Sequence, residues 1–218
     1  MMGCFQLSVI KIGILGGTFN PIHNAHLALA ASAAEQLALN FVLFIPNAAP
    51  PHKEVADGVS ITHRVNMVEL AIANNPKFQL CMIEASPNEK NYTADTVEIL
   101  SKRYPGGEFY YIAGSDALAE MNGWRDPHRI FANSRVAATV RATTPAAQSA
   151  APPSEKGALS NVIENLKQTY NADITIITMP PEDISSTQVR QIVKSGGDIT
   201  ALVPDKVRDY ILGEGLYV

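Results

Sequence analysis

Short apolar runs alternate with longer segments of helical period along most of this chain. The apolar runs, rich in β-branched and aromatic residues, predict strands at residues 8–15, 41–45, 78–83, 109–113, 135–140 and 174–179. Apolar residues three and four positions apart predict helices at residues 25–39, 61–73, 93–103, 158–170, 187–194 and 204–212. Such alternation is typical of a parallel sheet with helices on its faces. We therefore expect one α/β domain over residues 1–218, a Rossmann-like doubly wound sheet with a short C-terminal helical extension over residues 185–218.

Two segments interrupt this pattern. Residues 46–53 are rich in proline and predict a loop after the second strand. Residues 142–157 consist mainly of alanine, proline, serine and threonine without periodicity. We expect this second segment to be a flexible surface loop rather than a linker between domains.

The composition narrows the classes of function. Of the 218 residues, 46% are apolar, which is enough for a sizeable core. Seventeen basic against 21 acidic residues give a net charge of −4, so the basic field needed for sequence-independent nucleic-acid binding is missing. No apolar run reaches the ~18 residues of a membrane span. We expect small-molecule partners rather than a nucleic acid or a membrane, and a homo-oligomer is left open.

The two cysteines bear on the cellular compartment. Cys4 and Cys81 provide neither a disulfide framework nor paired metal-ligand spacing, so both thiols are expected to be free, as in a reducing compartment. Residues 1–10 lack the basic start and the small-residue cleavage site of a signal peptide. The expected location is the cytoplasm.

The segment GGTFNPIHNAH, residues 16–26, lies between the first predicted strand and the first predicted helix. Sheets of this class bind ligands at the carboxyl ends of their strands. Gly16 and Gly17 allow backbone N–H groups to approach a polyphosphate, and a helix start capped by Asn24 would favour anions. The spacing fits neither G-x-G-x-x-G nor G-x-x-x-x-G-K-[ST]. The segment therefore favours phosphate binding without hydride transfer or simple triphosphate hydrolysis.

His23 and His26 are three residues apart across this helix start, so both side chains can face one ligand over the first turn. A zinc site is one alternative. Zinc takes three or four protein ligands, and no third histidine, cysteine or carboxylate has a matching spacing. The other alternative is a pair of capping or core histidines that perform no chemistry.

The segment ISSTQVR, residues 184–190, follows the sixth predicted strand and opens a helix. Ser185 and Gln188 fit the capping box S-x-x-Q, which is a purely structural explanation. Arg190 lies one turn beyond Ser186, so N–H groups, hydroxyls and a guanidinium can meet at one anion. Two anion-binding helix starts in one chain predict a triphosphate held from both sides.

Together these segments resemble the nucleotidylyltransferases, which carry H/T-x-G-H at the first helix and I-S-S-T-x-x-R near the end. Along nearly its whole length the chain is similar to the bacterial nicotinate-nucleotide adenylyltransferases. Further matching blocks are PNAAPPHK at residues 46–53, NYTADT at residues 91–96, Gly114-Ser115-Asp116 with Trp124, and the tail from Leu202-Val203-Pro204 to Gly215-Leu216-Tyr217. Each match alone is weak, but five in the same order and at compatible spacing make the resemblance specific.

This resemblance implies adenylyl transfer from ATP to nicotinate mononucleotide, giving nicotinate adenine dinucleotide and pyrophosphate in NAD biosynthesis. It implies Mg²⁺ bound with ATP and no metal site made of protein ligands alone. A phosphate monoester has its second pKa near ~6, so the attacking oxygen is already ionised and needs no general base. The implied catalytic residues are His23, His26 and Arg190, and the implied ATP-binding residues are Gly16, Gly17, Thr18, Phe19, Ser185, Ser186 and Thr187.

The resemblance also implies a site for the mononucleotide. Trp124 would stack on the pyridine ring, although a single tryptophan taken alone is more often a core residue. Tyr92 and Thr93 would neighbour the carboxylate, and a helix start at Thr93 would favour the acid over the neutral amide. The remaining implied residues are Asn47, His52 and Lys53 for the phosphate, and Asp116 for the ribose or the metal, with a helix cap as its structural alternative.

Three positions depart from the family pattern. Asn20 stands where aspartate is common, Ala25 replaces the glycine of H-x-G-H, and Arg141-Ala142-Thr143 stands where arginine-proline-glycine is common. Two alternatives therefore stay open. One is an adenylyltransferase for nicotinamide mononucleotide or phosphopantetheine, and the other is a catalytically silent nucleotide-binding module.

Overall fold

Six parallel strands form one sheet at the centre of the molecule. The computed structural model describes residues 9–49, 56–86, 90–139, 153–180 and 183–218. The strands are β1 (Lys11–Gly17), β2 (Phe41–Pro46), β3 (Phe78–Leu80), β4 (Glu108–Ala113), β5 (Arg135–Thr139) and β6 (Ile174–Ile177). Their order across the sheet is β3-β2-β1-β4-β5-β6, with every neighbouring pair parallel. The strand order reverses between β1 and β4, and the predicted doubly wound fold is confirmed.

Eight α-helices are present in these described ranges. They are α1 (Asn24–Gln36), α2 (Ile61–Ile72), α3 (Thr93–Arg103), α4 (Ser115–Glu120), α5 (Pro127–Asn133), α6 (Pro153–Tyr170), α7 (Ser186–Lys194) and α8 (Asp205–Gly213). Two short 3-10 helices cover Ala56–Gly58 and Met121–Gly123. None of the helices in the described part of the chain combines the length and the apolarity that a membrane crossing requires.

Successive strand residues pack on opposite faces of the sheet. Val42 and Phe44 of β2 pack in the layer that contains α1, α2, α7 and α8. Leu43 and Ile45 of the same strand pack in the layer that contains α3, α4, α5 and α6. Each face is therefore covered, as expected for all-apolar strands in a parallel sheet. The C-terminal helices α7 and α8 lie on the same face as α1, which brings the C-terminal part of the chain next to the segment between β1 and α1.

The first strand differs from its predicted range. It begins at Lys11. Val9 and Ile10 are about half exposed and precede the strand, although the Ile10 carbonyl accepts from the Glu108 N–H at 2.9 Å, and residues 1–8 lie outside the described ranges. It continues through Gly16 and Gly17, which pair with β2. The glycines predicted as a turn are thus the last residues of a strand.

Helix α1 ends at Gln36, three residues before the predicted end. Ala38 takes a left-handed conformation (φ 51°), and the Leu39 N–H donates to the Ala34 carbonyl at 2.9 Å. This is the geometry that glycine usually supplies at a helix end. An alanine at that position carries no signal of termination in the sequence.

Residues 115–133 contain two helices, α4 and α5, that the periodicity did not predict. Each spans fewer than two full turns, which is too short for a helical period to appear. Pro127 at the first position of α5 was the available signal.

The predicted flexible loop at residues 142–157 is wrong at its end. Residues 153–157 form the start of α6, where a proline at the first helical position is favourable. Residues 140–152 lie outside the described ranges. The other element boundaries shift by three residues or fewer, for example β3, which ends at Leu80 rather than at residue 83.

Candidate active site

Two adjoining clefts open where β1 and β4 end, at the reversal of the strand order. The large cleft, of about 620 Å³, is lined by the β1–α1 segment, the start of α4 and the start of α7. The small cleft, of about 370 Å³, is lined by the ends of β1 and β2, the start of α3 and the segment that follows α4. Gly16, Thr18 and Tyr111 line both clefts. These three residues therefore form the boundary between two potential ligand sites.

The large cleft brings together the two segments that the sequence singled out. Its lining includes Gly16, Thr18, His23, His26, Ser185, Ser186, Thr187 and Arg190. The Ser186 hydroxyl donates to the Pro21 carbonyl at 2.9 Å, and Arg190 Nη1 donates to the Asn20 carbonyl at 2.8 Å. The predicted meeting of the two anion-binding segments is therefore present in the fold.

Three of the predicted residues lie elsewhere. Phe19 is buried in the core, where its ring contacts His26 edge-on and packs near Phe44. Gly17 lines the small cleft, and a Cβ there would lie 3.2 Å from the Phe19 ring. Asp116, predicted for the ribose or the metal, lines the large cleft rather than the small one.

The start of α7 offers mainly backbone donors. The Ser185 hydroxyl accepts from the Gln188 N–H at 3.2 Å, and the Gln188 amide oxygen accepts from the Ser185 N–H at 3.4 Å. The predicted capping box is thus confirmed. Since Ser186 donates to Pro21, the groups at this end that suit an anion are the first-turn N–H groups and Thr187.

The start of α1 differs from the prediction, because His23 rather than Asn24 is the N-cap residue. Asn24 is the first helical residue, and it bonds to the C-terminal extension: its N–H donates to the Leu202 carbonyl at 2.9 Å and its Nδ2 donates to the Ala201 carbonyl at 3.1 Å. The asparagine therefore joins α1 to the segment before α8.

His23 and His26 form a stacked pair. Their ring centres are 3.7 Å apart, and His26 Nδ1 accepts from the His23 N–H at 3.3 Å. An accepting Nδ1 implies that the proton of the neutral ring is on Nε2. The His26 ring can therefore offer its Nε2–H to a ligand in the large cleft.

Both imidazoles are neutral at physiological pH. Burial lowers the pKa of His23 to about 4. Burial, together with the neighbouring His23, lowers the pKa of His26 well below its ordinary value. These side chains are therefore neutral N–H donors rather than cations.

Arg190 supplies the positive charge of the large cleft and is already held in place. Its Nε donates to Asp57 at 2.8 Å, and Asp57 also pairs with Lys194 at 2.6 Å. The Lys194 hydrogen bond, with a further contribution from Arg190, lowers the pKa of the Asp57 carboxyl. A polyphosphate would share the Arg190 guanidinium with this carboxylate.

Asn20, a departure from the family pattern, fits its buried surroundings. Its Nδ2 donates to the Ala56 carbonyl at 2.8 Å, and its Oδ1 accepts from the Tyr217 hydroxyl at 2.7 Å. An ionised aspartate at this position could accept the tyrosine proton but could not donate to Ala56. The amide therefore matches both partners without a buried charge.

The small cleft collects most of the residues predicted for the mononucleotide. Asn47, Tyr92, Thr93 and Trp124 all line it. Trp124 is half-buried, and its ring meets the Tyr111 ring edge-on at 5.6 Å. His52 and Lys53 lie outside the described residues.

Glu84 is a buried residue of the small cleft that no motif indicated. Its carboxylate accepts from the Thr96 hydroxyl at 2.6 Å and from Asn47 Nδ2 at 2.7 Å. Burial raises the pKa of the Glu84 carboxyl, and the two hydrogen bonds oppose this effect. Glu84 therefore holds the Asn47 amide in place and puts a carboxyl group in the wall of the small cleft.

Arg64 of α2 joins the two clefts from below. It is 1% exposed, and its guanidinium donates to the carbonyls of Thr18 at 2.7 Å, Asn47 at 2.6 Å and Ala48 at 3.1 Å. No carboxylate pairs with it among the described residues. The available sequence signal was its position on the apolar face of α2, four residues before the buried Val68.

Replacing Arg64 with methionine should destabilise the fold by about 2–4 kcal/mol, because three partly buried carbonyls lose a buried donor while side-chain volume is nearly kept. Chemical denaturation measures this change. Arg103→Met, at the exposed end of α3, is the matched control and should stay within about 0.5 kcal/mol of the wild type. Equal stability of the two variants would contradict the bridging role.

Replacing His23 with asparagine keeps a favourable N-cap residue and removes the imidazole whose pKa is lowered by burial. An unfolded histidine gains its proton near pH 6.5, whereas folded His23 does so only near pH 4. The stability of the wild type should therefore be complete above this window and fall as the pH drops through it. Across this window the wild type should lose on the order of 3 kcal/mol of unfolding free energy that the variant keeps. Denaturation on either side of the window tests this, and identical losses in both proteins would refute it.

Comparison with known proteins agrees with the geometry. Residues 14–192 match the Cytidylyltransferase-like family. A protein of Carboxydothermus hydrogenoformans named "Probable nicotinate-nucleotide adenylyltransferase" is 39% identical over 95% of this chain and 98% of its own length. A relative of the same name from Lachnoclostridium phytofermentans is 36% identical over 95% and 99%.

A solved structure shares the fold. Plasmodium falciparum nicotinic acid mononucleotide adenylyltransferase complexed with NaAD superposes with a TM-score of 0.75 at 20% identity, covering 95% of this chain and 97% of the other. The sequence relatives show the narrower family, whereas this likeness shows the fold alone. The chain belongs to the Cytidylyltransferase-like family and, within it, to the nicotinate-nucleotide adenylyltransferases.

Proposed function

We propose that this chain transfers the adenylyl group from ATP to nicotinate mononucleotide, which forms nicotinate adenine dinucleotide and releases pyrophosphate. The observation that carries this proposal is the meeting of residues 16–26 with residues 185–190 across the large cleft, beside a second cleft lined by Trp124. One cleft has the donors for a triphosphate, and the other has an aromatic surface for a pyridine ring.

The proposed reaction takes place at the boundary of the clefts. ATP occupies the large cleft, whose volume is within the range of small-molecule sites, and the mononucleotide occupies the small one. Their phosphates then meet over Gly16 and Thr18, where backbone and side chain line both clefts. When the attacking phosphate oxygen is held in line with the α-phosphorus, the transfer needs no nucleophile from the protein.

The residues of the large cleft stabilise charge rather than transfer a proton. The mononucleotide phosphate is ionised at neutral pH, so the attacking oxygen needs no base. Charge grows on the α-phosphate and on the departing pyrophosphate, where the His26 Nε2–H, the His23 ring and the Arg190 guanidinium act as donors. Because the phosphates are anionic, their binding should raise the pKa of both histidines.

The chemistry of the large cleft fits a divalent ion that arrives with ATP. Among the described residues, no group of three or more His, Cys, Asp or Glu side chains comes together, and Asp116 is the one carboxylate in the lining of the large cleft. Mg²⁺ at phosphate sites is commonly held by one or two carboxylates with phosphate oxygens and water. Asp116 would hold the ion, which when bound would neutralise phosphate charge.

Pyrophosphate release tests the proposed function. The purified protein is incubated with Mg²⁺ and ATP and, in turn, with nicotinate mononucleotide, nicotinamide mononucleotide and phosphopantetheine. We expect the fastest release with nicotinate mononucleotide. Preference for either other acceptor would assign a different adenylyltransferase, and ATP binding without release under any acceptor would indicate a silent nucleotide-binding module.

Replacing His26 with alanine should lower the turnover number roughly 10²–10³-fold, because one donor to the developing charge is lost. The matched control is His63→Ala, since His63 lies outside both clefts and bonds to Tyr210 at 2.9 Å. Steady-state kinetics with far-UV circular dichroism measure rate and folding together. A folded His26→Ala protein that turns over like the wild type would exclude the proposed role.

A further inference from the structure

Arg125 is a cation of the small cleft to which no motif assigns a role. Its guanidinium carbon lies 4.4 Å from the centre of the Tyr92 ring, so the cation is stacked on the aromatic face. It directly follows Trp124 in the chain, and all three residues line the small cleft with Thr93. The cation therefore lies at the end of the cleft that holds the aromatic surface for a flat ring.

Arg125 is the positive charge of a small cleft whose other described charged residues are acidic. The other charged residues in the described lining are Glu84 and Glu120. Glu84 is buried, whereas the side chain of Arg125 is 58% exposed and, among the described residues, contacts the Asp126 carboxylate at 3.7 Å. A negatively charged ring substituent would be repelled by the two acids unless it lay next to Arg125. A neutral amide would feel little of either effect.

Arg125 lies just before the start of α5, and its guanidinium faces the start of α3. Asp126, which follows it, is in the left-handed region (φ 52°), and the next residue is Pro127, the first of α5. On the opposite side, Tyr92 is the N-cap residue of α3, whose first helical residue is Thr93. The stacked guanidinium is thus close to a helix start whose dipole has the same preference for an anion.

We propose that Arg125 pairs with the carboxylate of the pyridine ring and determines the preference for nicotinate mononucleotide over nicotinamide mononucleotide. This inference rests on the proposed function and adds a specificity residue to it. A guanidinium and a carboxylate form a bidentate ion pair, whereas a carboxamide offers the guanidinium a single neutral acceptor oxygen. Because Arg125 is more than half exposed, we expect a contribution of about tenfold rather than the larger factors of buried pairs.

The test compares Arg125→Gln with the wild type in kcat/KM for both mononucleotides at saturating Mg²⁺ and ATP. We expect the acid-to-amide ratio to fall about tenfold, through a loss with the acid and little change with the amide. Arg125→Lys keeps a positive charge and should retain most of the ratio. Arg103→Gln, at the exposed end of α3, removes an arginine away from both clefts and should leave the ratio unchanged.

The ratio separates substrate recognition from folding, because a general loss of stability lowers kcat/KM for the acid and for the amide by the same factor. If Arg125→Gln turns over too slowly with both acceptors, quenching of Trp124 fluorescence measures the two dissociation constants directly, since Trp124 is the only tryptophan in the chain. An unchanged ratio in Arg125→Gln would overturn the role of Arg125 and leave the proposed function intact. A wild-type protein that releases pyrophosphate with neither mononucleotide would overturn both.

Discussion

A buried arginine, paired with no carboxylate in the described part of the chain, holds the two clefts of this protein in one arrangement. Moving a guanidinium out of water is costly unless its N–H groups find acceptors, and the two terminal nitrogens of Arg64 find them in the carbonyls of Thr18, Asn47 and Ala48. Thr18 follows β1, whereas Asn47 and Ala48 follow β2, so one side chain sets the distance between the two segments. Its positive charge lies beneath the place where two anions would have to approach each other.

The site also depends on the way in which the sheet brings distant parts of the chain together. Because α7 and α8 pack on the face that carries α1, Arg190 reaches the Asn20 carbonyl and Tyr217 reaches the Asn20 side chain. The same asparagine bonds to Ala56, next to the Asp57 that pairs with Arg190. The residue that departs from the family pattern is therefore part of the framework that positions the proposed catalytic arginine, and its amide suits that framework.

The features that could be predicted are those encoded by short stretches of sequence. The apolar runs and helical periods predicted the sheet, and two short motifs predicted the facing segments of the large cleft. The roles of Arg64 and Glu84 could not be predicted, because a charged residue within an amphipathic pattern can extend to water as readily as it can be buried. The neutral state of the histidine pair follows from burial, which depends on the tertiary fold. The end of α1 escaped because Ala38 occupies a position usually held by glycine.

A crystal structure with nicotinate mononucleotide and an ATP analogue that cannot transfer its adenylyl group tests the central claim most directly, because it locates both phosphates. The account predicts the triphosphate between residues 16–26 and residues 185–190, with the mononucleotide ring on Trp124. The attacking oxygen should lie about 3–3.5 Å from the α-phosphorus, above Gly16 and Thr18. A triphosphate bound away from one of these segments, or two phosphates held too far apart to react, would contradict it.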